Sequence, residues 1–154
     1  MTKIYVDADA SPVKSEVVRV AKRYGLKVYL VSNFKMRFPK DELVEMVVVN
    51  DHIDAADDWI VEFISGEDIA VSADIPLVSR CLRKGARVLD PKGRVFTEDT
   101  IGEALANRDI TIYLRDQGNI RGGSAPYGKQ DRSRFLQRLD DLIQAALKGK
   151  RQGN

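Results

Sequence analysis

The chain has 154 residues, 44% of them hydrophobic and 31% charged, with a net charge of +2; that is enough for one domain with a core of its own, and no stretch is long and apolar enough to cross a membrane. Cys81 is the only cysteine and His52 the only histidine, which excludes an intramolecular disulfide and a thiolate or imidazole metal cage, so a catalytic metal would rest on carboxylates, favouring Mg2+ or Mn2+ over zinc. The N-terminus lacks the pattern of a secretory leader, so a cytoplasmic location with no membrane partner is expected.

The first element is an apolar run, Ile4-Tyr5-Val6, that ends abruptly at Asp7 and Asp9 and then meets Ser11-Pro12. Such a run reads as a buried central strand of a parallel sheet, with both acids at its carboxyl end, where open α/β folds place ligands. Like charges two residues apart are unfavourable unless a cation, a partner or water offsets them; the alternative is that Asp9 only caps a helix. Ser11 reads as the N-cap and Pro12 as the first residue of a helix through Tyr24, closed by Gly25. Leu26–Ser32 reads as a second strand. Asn33–Lys40 then interleaves Phe34 and Phe38 with Lys35, Arg37 and Lys40, suited either to stacking bases and meeting phosphates or to anchoring the loop on the core.

Glu45–Asn50 is a third strand, and Asp54 caps a helix over 55–64 with Asp57 at its N3 position. The helix dipole alone favours Asp57 and Asp58 there. Asp68–Ala73 is a fourth strand, ending at Asp74 as the first ended at Asp7, before a helix from Ile75-Pro76 to about Lys84. In a parallel sheet Asp7, Asp9 and Asp74 can share one edge. Ala86–Leu89 is a fifth strand, 91–94 a turn, 97–117 a helix carrying Ile101, Leu105, Ile112 and Tyr113, and 118–130 a glycine-rich loop. A last helix starts near Asp131 and a frayed tail at Lys148. From Arg115 onward there are nine Lys/Arg against four Asp/Glu, and before it 16 against 19, an acidic body with a basic helix and tail from about residue 130 that suits a polyanion met through bridging metals.

The segments VDADASPVK, DAADDWIVE, SADIPLVSRCL with KGARVLDPKGR, FTEDTIGEALANRD and the late GG…KQDRSRFLQ, taken together and in this order, resemble the YaiI/YqxD family of bacterial proteins. That family is regarded as PIN-like, which implies a three-layer α/β/α sandwich with a mainly parallel sheet, here of about five strands in one domain over 1–154, and a metal-dependent ribonuclease site. Residue by residue, the resemblance implies Asp7, Asp9, Asp57 and Asp74 as carboxylates holding Mg2+ or Mn2+; Asp58 stands where the family accepts an amide, and Ser11 where many members have a cysteine. PIN-like proteins often pair, so a homodimer is a further expectation.

The leading expectation is therefore phosphodiester hydrolysis of single-stranded or structured RNA. Asp7, Asp9, Asp57 and Asp74 would hold the metal, Ser72 or Ser11 would add a hydrogen bond, and Lys35, Arg37, Arg121, Lys129, Arg132 and Arg134 would meet the sugar-phosphate backbone. Two rivals stand beside it. Asp7-Ala8-Asp9-Ala10-Ser11 is similar to the DxDx(T/V) signature of haloacid-dehalogenase-type phosphatases, with Asp7 as nucleophile and Lys84 as the required lysine, although the order of the other motifs differs. A catalytically inactive PIN-like RNA-binding or interaction module is the other.

Overall fold

Ile4, Tyr5 and Val6 favour extended backbone. In the computed structural model, which describes residues 1–9, 11–50, 52–103, 106 and 126–152, they form the middle of strand β1 (Lys3–Asp7). β1 pairs in parallel on both sides, with β2 (Lys27–Ser32) and with β4 (Ile69–Val71). Beyond them lie β3 (Val44–Val48), parallel to β2, and β5 (Arg87–Leu89), parallel to β4. β6 (Val95–Phe96) adds an antiparallel edge. The order β3-β2-β1-β4-β5-β6 means that the chain leaves β1 toward one side and later returns to build the other. Such a reversal opens a crevice at the carboxyl ends of the strands that flank it, here β1 and β4.

Side chains alternate across β1, so it feeds two cores. Ile4 and Val6 pack with Val17 and Val20 of α1 (Lys14–Tyr24) and with Phe135, Leu139 and Ile143 of α5 (Lys129–Gln152). Tyr5 faces the opposite layer, with Ile60 of α2 (Ala55–Phe63), Leu77, Val78 and Cys81 of α3 (Ile75–Arg83), and Ile101 of α4, described over 98–103. The result is a three-layer α/β/α sandwich around a mainly parallel sheet. Among the described residues no helix is long and apolar enough to cross a membrane.

Four details differ from the sequence-based expectation. The sheet has six strands rather than about five, because Asp90 folds the turn back on itself: its Oδ1 accepts the N–H of Lys92 at 2.9 Å and of Arg94 at 2.8 Å. A two-residue strand carries no readable period. Ser11-Pro12 does not start α1, which begins at Lys14; the Ser11 hydroxyl instead accepts the Val13 N–H at 3.4 Å, and Lys14 Nζ donates to the Ala8 and Ser11 carbonyls at 3.1 and 2.9 Å. Asp54 occupies the N-cap position of α2 without a side-chain capping bond. Finally, α5 starts at Lys129 and continues to Gln152 where a frayed tail was expected; Ala146 is still buried and Leu147 packs on the core. Leu105, Ile112, Tyr113 and Arg121 lie outside the described residues.

Asp68, expected as a strand residue, instead ties the amino edge of the sheet together. It is 3% exposed, and its carboxylate accepts the Lys3 N–H at 2.9 Å and both the N–H and the hydroxyl of Ser65 at 2.9 and 3.0 Å. Asp68→Ala should cost about 3 kcal/mol in urea unfolding, since it removes bonds to a charged acceptor and strands two backbone donors. A loss below about 0.5 kcal/mol, the range of an ordinary surface substitution, would contradict this role.

Candidate functional site at the carboxyl edge of the sheet

Because Val6 of β1 stands beside Val71 of β4, the residues that follow, Asp7 and Ser72, meet at the edge. The Ser72 hydroxyl donates to Asp7 Oδ2 at 3.0 Å and accepts the Asp74 N–H at 3.0 Å. One buried serine thus fixes the acid ending the first strand and the backbone of the acid following the fourth. Asp74 is the N-cap of α3, its Oδ1 accepting the Leu77 N–H at 3.3 Å. Asp57 reaches the same region from the first turn of α2.

Their mutual charge shows in their acidity. Asp7 is raised above the usual carboxylate range, chiefly by burial, then by Asp74 and Asp9, with the Ser72 hydrogen bond opposing. Asp57 is pushed up to about 6 by burial, then by Asp74, Asp7 and Asp54, with Arg80 opposing. Among the described residues none of Asp7, Asp9, Asp57 and Asp74 forms an ion pair. Asp58 is paired with Arg80 at 2.9 Å.

Asp9 is tied to the loop that follows β2. The Ser32 hydroxyl, at the end of β2, donates to Asp9 Oδ1, and the Asn33 N–H donates to Asp9 Oδ2 at 3.0 Å. Both oxygens are engaged in holding the β2–β3 loop, and Asn33 extends the tie to the carbonyls of Asn50 and His52 at 3.1 and 2.8 Å. Asp9 therefore positions this loop and acts on Asp7 through its charge. Sequence reasoning missed Ser32 and Asn33, although a small polar pair directly after an apolar strand was the available signal.

The two aromatics of the loop differ in their surroundings. Phe38 is half-buried and packs on the first core, whereas Phe34 is 66% exposed; Lys35 and Arg37 between them are exposed. On the other flank, Lys129, Arg132 and Arg134 begin α5 and are exposed. Arg132 lies 3.9 Å from Glu16 and Arg134 3.7 Å from Asp131, so their charges are partly answered within the chain. Lys84, the lysine a phosphatase reading enlists, donates to the Val61 and Glu62 carbonyls. It sits at the end of α3 opposite Asp74, about 15 Å along a helix of this length. Ser11 is occupied with the Val13 N–H.

Among the described residues no three Asp, Glu, His or Cys side chains are gathered closely enough to hold a metal ion by themselves. Mg2+ is commonly held by one or two carboxylates plus water and substrate phosphates, and does not need a closed protein cage. A half-buried Asp7 whose charge is opposed by its neighbours fits that mode of binding, as does the adjoining Asp57.

Six parallel and antiparallel strands between two helical layers, with acids gathered at the carboxyl edge of the central pair, define an α/β/α protein with an acidic crevice. The model of the "Uncharacterized BCR, YaiI/YqxD family" matches residues 5–145, and the chain belongs to that family. It is similar to a UPF0178 protein of Rhodospirillum centenum, 53% identical over 154 residues that span 97% of this chain and 100% of the relative. A UPF0178 protein of Paramagnetospirillum magneticum is 53% identical over 146 residues, 95% of this chain and 97% of its own. No solved structure matches the chain.

Proposed function

We propose that the acidic crevice is the site of a PIN-like, Mg2+- or Mn2+-dependent phosphodiesterase acting on RNA in the cytoplasm. The observation that carries this reading is the meeting of Asp7 and Asp74 through Ser72 at the β1/β4 edge, where burial and the neighbouring Asp74 and Asp9 raise the pKa of Asp7, a cost that a cation relieves. Asp7 and Asp57 would hold the metal, with water and the substrate phosphate completing its shell, and Asp74 would add its charge beside them. Bound there, the metal would polarise the phosphoryl oxygens and lower the pKa of water. Ser72 fixes the Asp7 carboxylate in place. Lys35 and Arg37 on one flank and Lys129, Arg132 and Arg134 on the other would meet the strand's phosphates.

Metal binding has a readout independent of catalysis. Saturating Mn2+ should raise the melting temperature of the protein by about 5–10 °C, as expected for a ligand at about a hundred times its Kd on a chain of this size, and EDTA should reverse the rise. Asp7→Asn should abolish it. An equal rise in the variant would place the metal elsewhere.

Removing one acid should also reveal its electrostatic cost. The folded-state pKa of Asp57 lies near 6 against 3.8 for an unperturbed carboxyl, so its stabilising contribution is full below about pH 3.8 and is lost as pH rises through about 6. Without metal, Asp57→Asn should therefore melt higher than wild type at pH 7.5, by about 2 °C or less because the group is only half-buried, and the gap should close toward pH 4. A variant melting lower at pH 7.5 would show that Asp57 serves the structure and not the crevice.

A further inference from the structure

Beside the acids lies a cleft of about 350 Å³ that the reading above does not use. Its walls come from four separate parts of the chain: Pro12 of the β1–α1 loop, Ile75 at the start of α3, Lys92, Arg94 and Phe96 of the β5–β6 hairpin, and Tyr127 ahead of α5. Ala73 and Ile75, the neighbours of Asp74 in the chain, both line it, so the cleft opens next to the acidic crevice. Its volume falls at the lower end of the range for small-molecule sites.

The walls are held in place. The Tyr127 hydroxyl donates to the Pro91 carbonyl at 2.8 Å, and Arg134 donates to the Lys92 carbonyl at 3.4 Å, fastening the hairpin to the start of α5. Asp90 also borders the cleft, but its Oδ1 is taken up by the Lys92 and Arg94 N–H groups. Two cations therefore face one engaged carboxylate. Aromatic and prolyl surface next to two cations is the chemistry that accepts a base or sugar together with a phosphate.

We propose that this cleft is a nucleotide subsite: Lys92 and Arg94 take the phosphate next to the scissile one, and Tyr127 and Pro12 provide the surface for its nucleoside. The assignment of a role in cleavage rests on the phosphodiesterase reading, whereas occupancy of the cleft can be measured without it. The substrate class follows from the size of the cleft, which takes one unpaired nucleotide and not a base pair, so the strand must be single at this point.

The test is titration of the metal-free protein with adenosine 5′-monophosphate, adenosine and inorganic phosphate, comparing wild type with Lys92→Ala, Arg94→Ala and the double variant. Nucleotide should bind wild type more tightly than adenosine or phosphate does. Each single substitution should weaken it about tenfold, as expected when a bond to a charged group is lost. On a single-stranded oligonucleotide the double variant should flatten the slope of log affinity against log salt by about 0.7, the value for one phosphate. Equal nucleotide affinity in wild type and the double variant would overturn the subsite. Manganese-dependent cleavage that is lost in Asp7→Asn but keeps its KM in the double variant would overturn it while leaving the phosphodiesterase standing. Lys92- and Arg94-dependent binding in a protein that cleaves nothing would keep the subsite and remove the phosphodiesterase.

Discussion

Asp7→Asn should lower manganese-dependent cleavage of single-stranded RNA by at least about 10²-fold, because several kcal/mol of transition-state charge stabilisation depend on the carboxylate that holds the cation. The fold should survive. Asn keeps an oxygen for the Ser72 hydroxyl, which now reaches Asp7 Oδ2 at 3.0 Å, and it carries none of the charge that burial and the neighbouring acids disfavour at Asp7. The variant should therefore melt at or above the wild-type temperature without metal. Lost cleavage accompanied by a large fall in melting temperature would instead mark Asp7 as a structural residue. Unchanged cleavage in a well-folded variant would remove it from the reaction altogether.

Gly93→Ala should be among the most damaging single substitutions in the chain. Gly93 has φ +88°, a conformation L side chains rarely adopt, and a Cβ there would stand 2.8 Å from Arg134 Cγ and 2.9 Å from both the Arg134 carbonyl carbon and the Phe135 nitrogen. Two of those atoms belong to the backbone of α5 and cannot swing aside. Strain and clash together should cost about 3 kcal/mol or more, which on a chain of this length lowers the melting temperature by about 6–12 °C. Gly25→Ala is the control: it has φ +67° and nothing within 4 Å of a Cβ, so it should lose only about 1 kcal/mol. Equal losses at the two positions would mean that α5 does not press on the hairpin as described.

The parts of the fold that could be read from the sequence are those where one physical cause dominates. Ile4-Tyr5-Val6 is apolar on both faces and became the central strand; Gly25 at φ 67° closes α1 as expected; Asp74 before Ile75-Pro76 caps α3 through its own side chain. Where several local partners compete, composition was a poor guide. Ser11 and Pro12 have the right chemistry for a helix start, but Lys14 pulls the Ala8 and Ser11 carbonyls together and delays it. β6 exists because of the carboxylate of Asp90 and a glycine at positive φ, features that make a hairpin only once α5 is packed behind it.

The acids divide in the same way. Asp7 and Asp74 were legible because one ends β1 and the other closely follows β4, and the parallel pairing of these strands brings them to one edge. Asp57 could be connected with them only through family resemblance, since an acid in a first helical turn needs no further reason. Asp9 looked like the partner of Asp7, yet Ser32 and Asn33, more than twenty residues away, claim both its oxygens; that contact is a matter of how β2 ends and leaves no local trace near Asp9. Asp68 and Asp90 were passed over because buried acids that serve the backbone carry no motif at all.

The most direct measurement is cleavage of end-labelled single-stranded RNA in the presence of Mn2+, with wild type, wild type plus EDTA, and Asp74→Asn purified side by side. Asn caps a helix about as well as Asp, so this substitution removes the charge from the crevice while sparing α3. Cleavage by wild type that disappears both with chelator and in the variant, at an unchanged melting temperature, is the expected result. Identical behaviour of the three samples would contradict a carboxylate-held metal as the seat of the activity.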